Sequence, residues 1–135
     1  MRLLVFLTLF TTYGIAFSQD PGGYKCVTIS VDDFYSDMKL KPETKVIDVR
    51  MKAEFRPEHI ENAINIPLSK LPCRKVEEIS RETVIYLYCK SGVRSCWAAS
   101  KFNDMGFKHI YSLDGGINAW KKKGLPVVNS RKEKR

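Results

Sequence analysis

Short apolar runs alternate with helical patterns along most of this chain. Segments in which apolar residues recur every three or four positions predict helices, and β-branched or aromatic runs predict strands. The predicted strands are Cys26–Ile29, Lys45–Val49, Ala63–Ile66, Thr83–Tyr88 and His109–Leu113. The predicted helices cover residues 30–40, 52–55, 68–79, 95–105 and 117–123. Such alternation is typical of an α/β domain, in which helices cover both faces of a parallel sheet.

Several residues mark where the predicted helices begin, bend and end. Ser30 precedes the first helix and can cap its amide groups. Pro72 predicts a kink or a restart within residues 68–79, and Gly106 is expected to end the helix that begins at Ser95. The run Thr83–Tyr88 is almost continuously apolar, which predicts a central strand.

Cys89 is the candidate with the clearest chemistry, because it follows this central strand directly. A loop that contains Gly92 and then a helix come after it. Amide N–H groups in such a loop and at a helix start favour an anion, and the cations Lys90 and Arg94 lie close in sequence. The pattern therefore predicts a thiolate nucleophile that can carry an anionic group.

Two other segments are expected to border the same site. Asp48-Val49-Arg50 ends one predicted strand, and Asp114-Gly115-Gly116 follows another. Ligands of open α/β sheets bind in the crevice outside the carboxyl ends of the strands. Both segments are therefore predicted to lie beside Cys89.

Four segments together resemble a single-domain rhodanese, a thiosulfate:acceptor sulfurtransferase. They are Asp48-Val49-Arg50 with Glu54-Phe55; His59-Ile60 with Ala63-Ile64-Asn65-Ile66-Pro67; Cys89-Lys90-Ser91-Gly92-Val93-Arg94-Ser95; and Asp114-Gly115-Gly116-Ile117 with Ala119-Trp120. Glu58 and Asn62 depart from the family, which commonly has glycine at both positions. The resemblance implies a three-layer sandwich with a central, mostly parallel five-stranded sheet.

The resemblance also implies a reaction and roles for the residues near Cys89. Cys89 would take a sulfane sulfur from thiosulfate as a persulfide and pass it to a thiol or to cyanide, without a cofactor or a metal. Lys90 is expected to face solvent and to meet the incoming anion, whereas Arg94 is expected to brace the loop or a nearby carboxylate. The expected substrate-binding residues are Lys90, Ser91, Gly92, Val93 and Arg94. The expected structural residues near the site are Asp48, Arg50 and Ser95. Asp48, at a strand end, is expected to form a buried ion pair with Arg50 rather than to act as a base.

Other functions stay open at this point. Phosphatases and arsenate reductases of this fold have a longer loop, Cys-x5-Arg, whereas Cys89 to Arg94 reads Cys-x4-Arg. The shorter loop favours a sulfane sulfur over a tetrahedral phosphate. A persulfide carrier that serves a partner enzyme, or a non-catalytic binding module, are the remaining alternatives.

The four cysteines allow three full disulfide pairings, and sequence alone does not choose among them. A structural bridge between Cys26 and Cys73 is one hypothesis, and it would leave Cys89 free. Cys96 is interpreted as a small buried residue or, alternatively, as a resolving thiol for Cys89.

The length and composition fit one small globular domain, and the first residues of the chain resemble an export signal. The chain has 135 residues, of which 44% are hydrophobic and 28% charged. Residues 1–18 resemble a signal peptide, residues 19–130 form the predicted domain, and residues 131–135 form a basic tail. The protein is therefore expected to be exported, either periplasmic or secreted, and monomeric, with no stable membrane contact after signal removal.

The net charge of +8 would fall to +7 without Arg2, which belongs to the predicted signal. A basic balance favours encounter with small anions. No basic face interleaved with aromatic residues and no nucleic-acid-binding motif accompanies it, so nucleic acid is not an expected partner. The expected partners are a small anionic sulfur donor and a thiol or cyanide acceptor.

Overall fold

A five-stranded parallel sheet forms the centre of the protein, which a computed structural model describes over residues 25–130. The order of its strands is β1-β6-β5-β2-β4, and every neighbouring pair is parallel. The predicted signal peptide, residues 1–18, and the predicted basic tail, residues 131–135, lie outside the described residues. Within residues 25–130, no helix is long and apolar enough to cross a membrane.

The strands and helices follow the predicted alternation. The strands are β1 (Thr28–Ile29), β2 (Lys45–Asp48), β3 (Glu58–His59), β4 (Ile64–Asn65), β5 (Val84–Tyr88), β6 (His109–Leu113) and β7 (Val128–Asn129). The helices are α1 (Val31–Leu40), α2 (Lys52–Phe55), α3 (Arg74–Glu77), α4 (Val93–Asp104) and α5 (Gly116–Lys122). The predicted central strand is confirmed, because β5 is the third of five strands in the sheet.

Alternate residues of the central strand point into two separate cores. Ile85 and Leu87 pack with Ala98 and Phe102 of α4 on one face. Tyr86 and Tyr88 pack on the other face, in a cluster that also holds Phe34 of α1 and Trp120 of α5. Because side chains of a strand alternate between faces, an apolar strand of this kind must be covered on both sides. The predicted three-layer arrangement is thus confirmed.

The interruption predicted at Pro72 is confirmed, and residues 68–79 form two short helical elements rather than one continuous helix. A 3₁₀ turn covers Leu68–Lys70, and α3 begins only at Arg74. Leu71 between them is extended, with φ −89° and ψ 136°. The following Pro72 explains the break, because proline disfavours helical geometry in the residue before it and has no N–H to donate.

The pairing of β3 with β7 was not predicted from the sequence. Glu58 lies opposite Asn129 and His59 opposite Val128 in this antiparallel pair. Two-residue strands have too little pattern to be recognised, and only the path of the chain after α5 brings the second strand beside the first.

The disulfide joins Cys26 to Cys96, so the hypothesis of a Cys26–Cys73 bridge is wrong. Cys26 precedes the edge strand β1, which pairs with β6, and Cys96 lies in the first turn of α4 on the same apolar face of the sheet. Cys73 instead precedes α3 and is free. Cys96 is therefore neither a free buried thiol nor a resolving partner for Cys89.

Candidate active site

The carboxyl ends of β2, β5 and β6 meet at one edge of the sheet, as the sequence predicted. Asp48 pairs in register with Tyr88, so Cys89 lies one position beyond that pair. Leu113 ends β6, and Asp114 and Gly115 then lead into α5. The segments that end these three strands therefore surround Cys89.

The Cys89 thiol is held inside a tight turn. Its residue is only 1% exposed, and the backbone N–H of Gly92 donates to Sγ at 3.1 Å. Gly92 has φ +101°, a backbone conformation that residues with a side chain rarely adopt. α4 begins at Val93, two residues earlier than predicted, because Gly92 already serves as its N-cap. Arg94 therefore lies in the first helical turn, and the loop itself is Lys90-Ser91-Gly92.

Two buried serines support this turn from below. The Ser95 hydroxyl donates to the carbonyl of Gly92 at 3.1 Å and lies 3.5 Å from Cys89 Sγ. Ser112 of β6 is also fully buried, and its Oγ is 2.7 Å from that of Ser95. A buried hydroxyl without a hydrogen-bond partner lowers the stability of the fold. The hydrogen-bonded pair therefore fixes the position of the loop relative to the sheet. Ser95 thus has the structural place expected for it.

The start of α5 holds the first two carbonyls of the loop. Ile117 N–H donates to the Cys89 carbonyl at 2.9 Å, and Asn118 N–H donates to the Lys90 carbonyl at 3.1 Å. In a trans peptide the N–H points opposite to the carbonyl, so the N–H groups of Lys90 and Ser91 point away from α5. A Cβ on Gly116 would lie 2.5 Å from the Cys89 carbonyl oxygen, which explains glycine at that position.

Arg94 braces a carboxylate rather than facing the loop. Its guanidinium binds Glu54 of α2 through two hydrogen bonds, Nη1 to Oε2 at 2.7 Å and Nη2 to Oε1 at 2.9 Å. The bonds from Arg94 outweigh the opposing effect of burial and lower the pKa of Glu54 to about 2. The pair ties α2 to the first turn of α4.

Asp48 and Arg50 form the buried ion pair predicted at the end of β2. Arg50 Nη2 is 2.7 Å from Asp48 Oδ2 and also donates to the Glu58 carbonyl at 2.8 Å. Burial opposes the charge of Arg50, but the hydrogen bonds and attraction of Asp48 prevail and raise its pKa. The pair therefore connects the end of β2 with β3.

An open cleft of about 480 Å³ lies beside the Cys89 loop. Cys89 itself does not line this cleft, but the next residue, Lys90, does. The polar residues that line the cleft are Arg50, Glu54, Glu58, Lys90, Asn118, Lys121 and Asn129. Most of the charged groups in this set are paired with one another or with neighbours.

The remaining predicted residues lie at the rim of the site. Lys90, Ser91 and Val93 are exposed, which agrees with the expectation that Lys90 faces solvent.

Within residues 25–130, no group of three or more His, Cys, Asp or Glu residues could hold a metal ion.

Sequence reasoning missed three contributors to the site. Glu54 was recognised in a motif but not as the partner of Arg94, and Ser112 was not singled out at all. A serine in an otherwise apolar strand was the available signal for Ser112. Asn118, whose amide holds the loop, carries no such signal, because the contact uses only its backbone.

Comparison with known proteins agrees with this arrangement. The family model of the rhodanese-like domain matches residues 30–123. A sulfurtransferase of Allochromatium vinosum is 35% identical over 83 residues, which cover 62% of this chain and 77% of that protein. The thiosulfate sulfurtransferase GlpE of Coxiella burnetii is 35% identical over 85 residues, covering 63% of this chain and 78% of that protein.

A solved structure and a longer relative extend the comparison. A rhodanese-related protein of Thermoplasma volcanium matches with a TM-score of 0.66 and 34% identity, covering 75% of this chain and 96% of that chain. An uncharacterized protein of Synechocystis is 38% identical over 86 residues, and the match covers 64% of this chain but about half, 48%, of that relative's length. The fold, the loop at Cys89 and these matches agree, and the chain belongs to the rhodanese-like domain family.

Proposed function

We propose that this protein is a sulfurtransferase that moves a sulfane sulfur from thiosulfate, or from a persulfide, to a thiophilic acceptor through a persulfide on Cys89. The observation that carries the proposal is the Gly92 N–H, which donates to Cys89 Sγ at 3.1 Å at the end of the central strand. A preorganised amide of this kind stabilises negative charge on sulfur without having to reorganise during the reaction.

The proposed reaction has two steps and needs no external oxidant or reductant. In the first, the Cys89 thiolate attacks the outer sulfur of thiosulfate, the S–S bond of thiosulfate breaks, and sulfite leaves with the electron pair. In the second, the acceptor attacks the outer sulfur of the persulfide, and the electron pair of the broken bond returns to Cys89 Sγ. This is covalent catalysis of the ping-pong type.

The state of Arg94 favours sulfur transfer over the phosphatase and arsenate reductase alternatives. A tetrahedral oxyanion is best held by a guanidinium that can form two parallel hydrogen bonds. Arg94 already forms both with Glu54, at 2.7 and 2.9 Å. The amide groups of the three-residue loop are left as the main anion-binding groups, and these suit a single sulfur atom.

The experiment measures sulfite and thiocyanate release from thiosulfate and cyanide, with intact mass recorded after thiosulfate alone. Cys73→Ser is the matched control, because Cys73 is the other free cysteine among the described residues. We expect turnover and a one-sulfur adduct in the parent protein and in Cys73→Ser, and neither in Cys89→Ser. An adduct without turnover would favour a persulfide carrier, and a folded parent protein with neither signal would favour a binding module.

We also propose that the protein works in an oxidising compartment, the periplasm or outside the cell. The Cys26–Cys96 disulfide supports this, since disulfides persist mainly in exported proteins. Fractionation of the native host, with the processed mass of the chain, tests it. Retention of the full-length, reduced chain in the cytosol would contradict it.

A further inference from the structure

The first turn of α4 follows the Cys89 loop directly, but it begins without a side-chain cap. Gly92 is the N-cap residue of the helix and has no side chain that could accept from the first amide groups. A capping side chain normally stabilises the first turn of a helix. The position of this turn therefore depends on contacts with other elements of the fold.

Three consecutive residues tie the first turn of α4 to the rest of the domain. Arg94 binds α2 through a partly exposed ion pair, and Ser95 Oγ is 2.7 Å from Ser112 Oγ. Cys96 is joined to Cys26 by the disulfide bridge. A partly exposed ion pair contributes little to stability, and only the bridge among the three ties is covalent.

The bridge and the two serines close a ring between β1, β6 and α4. Val27 follows Cys26, and its carbonyl accepts from the N–H of Ser112 at 2.8 Å. Ser112 Oγ contacts Ser95 Oγ, and the next residue, Cys96, returns to Cys26 through the bridge. A shift of Cys96 would therefore move Ser95 as well.

This ring lies directly beside the reacting thiol. Ser95 Oγ is 3.5 Å from Cys89 Sγ and donates to the Gly92 carbonyl at 3.1 Å, and the N–H of Cys96 donates to the same carbonyl at 3.2 Å. The N–H of Gly92 in turn donates to Cys89 Sγ. By contrast, the carbonyls of Cys89 and Lys90 are held by α5, so the first half of the loop does not depend on the bridge.

We propose that the Cys26–Cys96 bridge positions Gly92 and Ser95 against Cys89 Sγ, which makes Cys96 a positioning residue for the loading of Cys89 with sulfur. The inference rests on the proposed function, because it concerns the first step of that reaction. Cys96 is partly exposed, so a dithiol can reach the bridge. The dithiol is oxidised to its own disulfide, and its two electrons and two protons pass to Cys26 and Cys96, which become thiols. Loading of Cys89 then depends on the oxidised state of the bridge.

The test compares the first step of the reaction with and without the bridge. Loading of Cys89 is followed by intact mass over a range of thiosulfate concentrations, and circular dichroism checks that each protein is folded under the assay conditions. The double variant Cys26→Ala, Cys96→Ala lacks the bridge and has no thiol at either position. Alanine is a better helix former than cysteine, so the substitution itself does not weaken α4.

Two further proteins complete the comparison. The parent protein, reduced by a dithiol and then freed of it in the absence of oxygen, is a second form without the bridge. Phe34→Leu is the control for a general loss of stability, because Phe34 is fully buried in the core on the opposite face of the sheet.

We expect both forms without the bridge to load about tenfold more slowly at saturating thiosulfate, less than the ~100-fold that a displacement near 1 Å can cost. The thiosulfate concentration that gives half the maximum rate should change by less than about twofold, because α5 still holds the loop amides that meet the anion. Phe34→Leu should load at the parent rate. A maximum rate equal to that of the parent, a loss no larger than in Phe34→Leu, or a change confined to the half-saturating concentration would overturn the inference.

Ser112→Ala tests the same ring while the bridge stays intact, so it remains informative if the forms without the bridge do not fold. It removes the hydroxyl that contacts Ser95 Oγ, and we expect a loss of about threefold in the maximum loading rate, the size of one hydrogen bond. A loading rate unchanged in Ser112→Ala would contradict the ring as the connection between the bridge and Cys89.

Failure of the inference is distinguishable from failure of the proposed function. If thiosulfate leaves no sulfur adduct on Cys89 of the oxidised parent protein, the proposed function is wrong and the positioning role falls with it. If the parent loads and the forms without the bridge load equally fast, the proposed function stands and only the positioning role is wrong.

Discussion

Gly116→Ala is expected to damage the candidate active site without touching a reactive group. Gly116 has φ +59°, and an added Cβ would lie 2.5 Å from the carbonyl oxygen of Cys89 and 2.6 Å from the carbonyl carbon and oxygen of Lys90. All three atoms belong to the backbone, so no side chain can rotate away to make room. The loop and the start of α5 must instead move apart.

The cost follows from the distances. Ordinary contact for a Cβ begins at 3.4 Å, so an approach of 2.5 Å requires a separation of about 0.9 Å. That shift would break the two hydrogen bonds from α5 to the loop, now 2.9 and 3.1 Å, at about 0.5–1.5 kcal/mol each. Strain from the left-handed backbone adds about 1–2 kcal/mol. We expect a total loss of about 2–5 kcal/mol in the free energy of unfolding.

The matched control is Gly124→Ala, at the other end of the same helix. Gly124 has φ +73°, but nothing lies within 4 Å of an added Cβ, so this variant carries the backbone strain without the clash. Its expected loss is about 1–2 kcal/mol.

Urea unfolding measures the stability of both variants, and the rate of sulfur loading from thiosulfate measures the site. A displacement near 1 Å can cost about 100-fold in rate, so Gly116→Ala should load far more slowly than Gly124→Ala. Equal stability and equal loading rates in the two variants would refute the role given to the contact between α5 and the loop.

Two further predictions concern pairs that hold the domain together. Cys26→Ser removes a disulfide between residues 70 apart and should lower the free energy of unfolding, measured in urea, by about 3–4 kcal/mol. A reductant should lower the free energy of unfolding of the parent protein by the same amount. Cys73→Ser should leave it unchanged, because Cys73 is free. Glu54→Gln removes a carboxylate whose pKa is lowered to about 2, so its contribution is complete above about pH 4.5 and is lost as the pH falls toward 2. Since the ion pair is about one-third exposed, we expect the variant to be about 1 kcal/mol less stable at pH 6 and equal to the parent near pH 2; a difference independent of pH would contradict the assignment.

Much of the fold could be predicted because the signals are local. The β5 and β6 strands are short apolar runs, and α1 begins after a capping serine, Ser30, whose hydroxyl accepts from Asp33 N–H. Over residues 68–79 the restart after Pro72 was predicted, because the effect of proline on its neighbour is local, but the 3₁₀ geometry of Leu68–Lys70 was not predicted. The strands β3 and β7 could not be predicted, because each has two residues and is defined only by its partner.

Some features of the candidate site could likewise be predicted from local sequence, whereas others could not. Sequence alone placed Cys89 at a strand end before a glycine-containing turn, and it predicted the buried pair of Asp48 and Arg50, because these features depend on residues close together along the chain. Only the tertiary structure decided that Arg94 binds Glu54, 40 residues away, and that Cys26 pairs with Cys96. Contacts of that kind depend on how the helices pack across the sheet. The residues close in sequence to Arg94 or Cys26 therefore do not indicate which distant side chain each will contact.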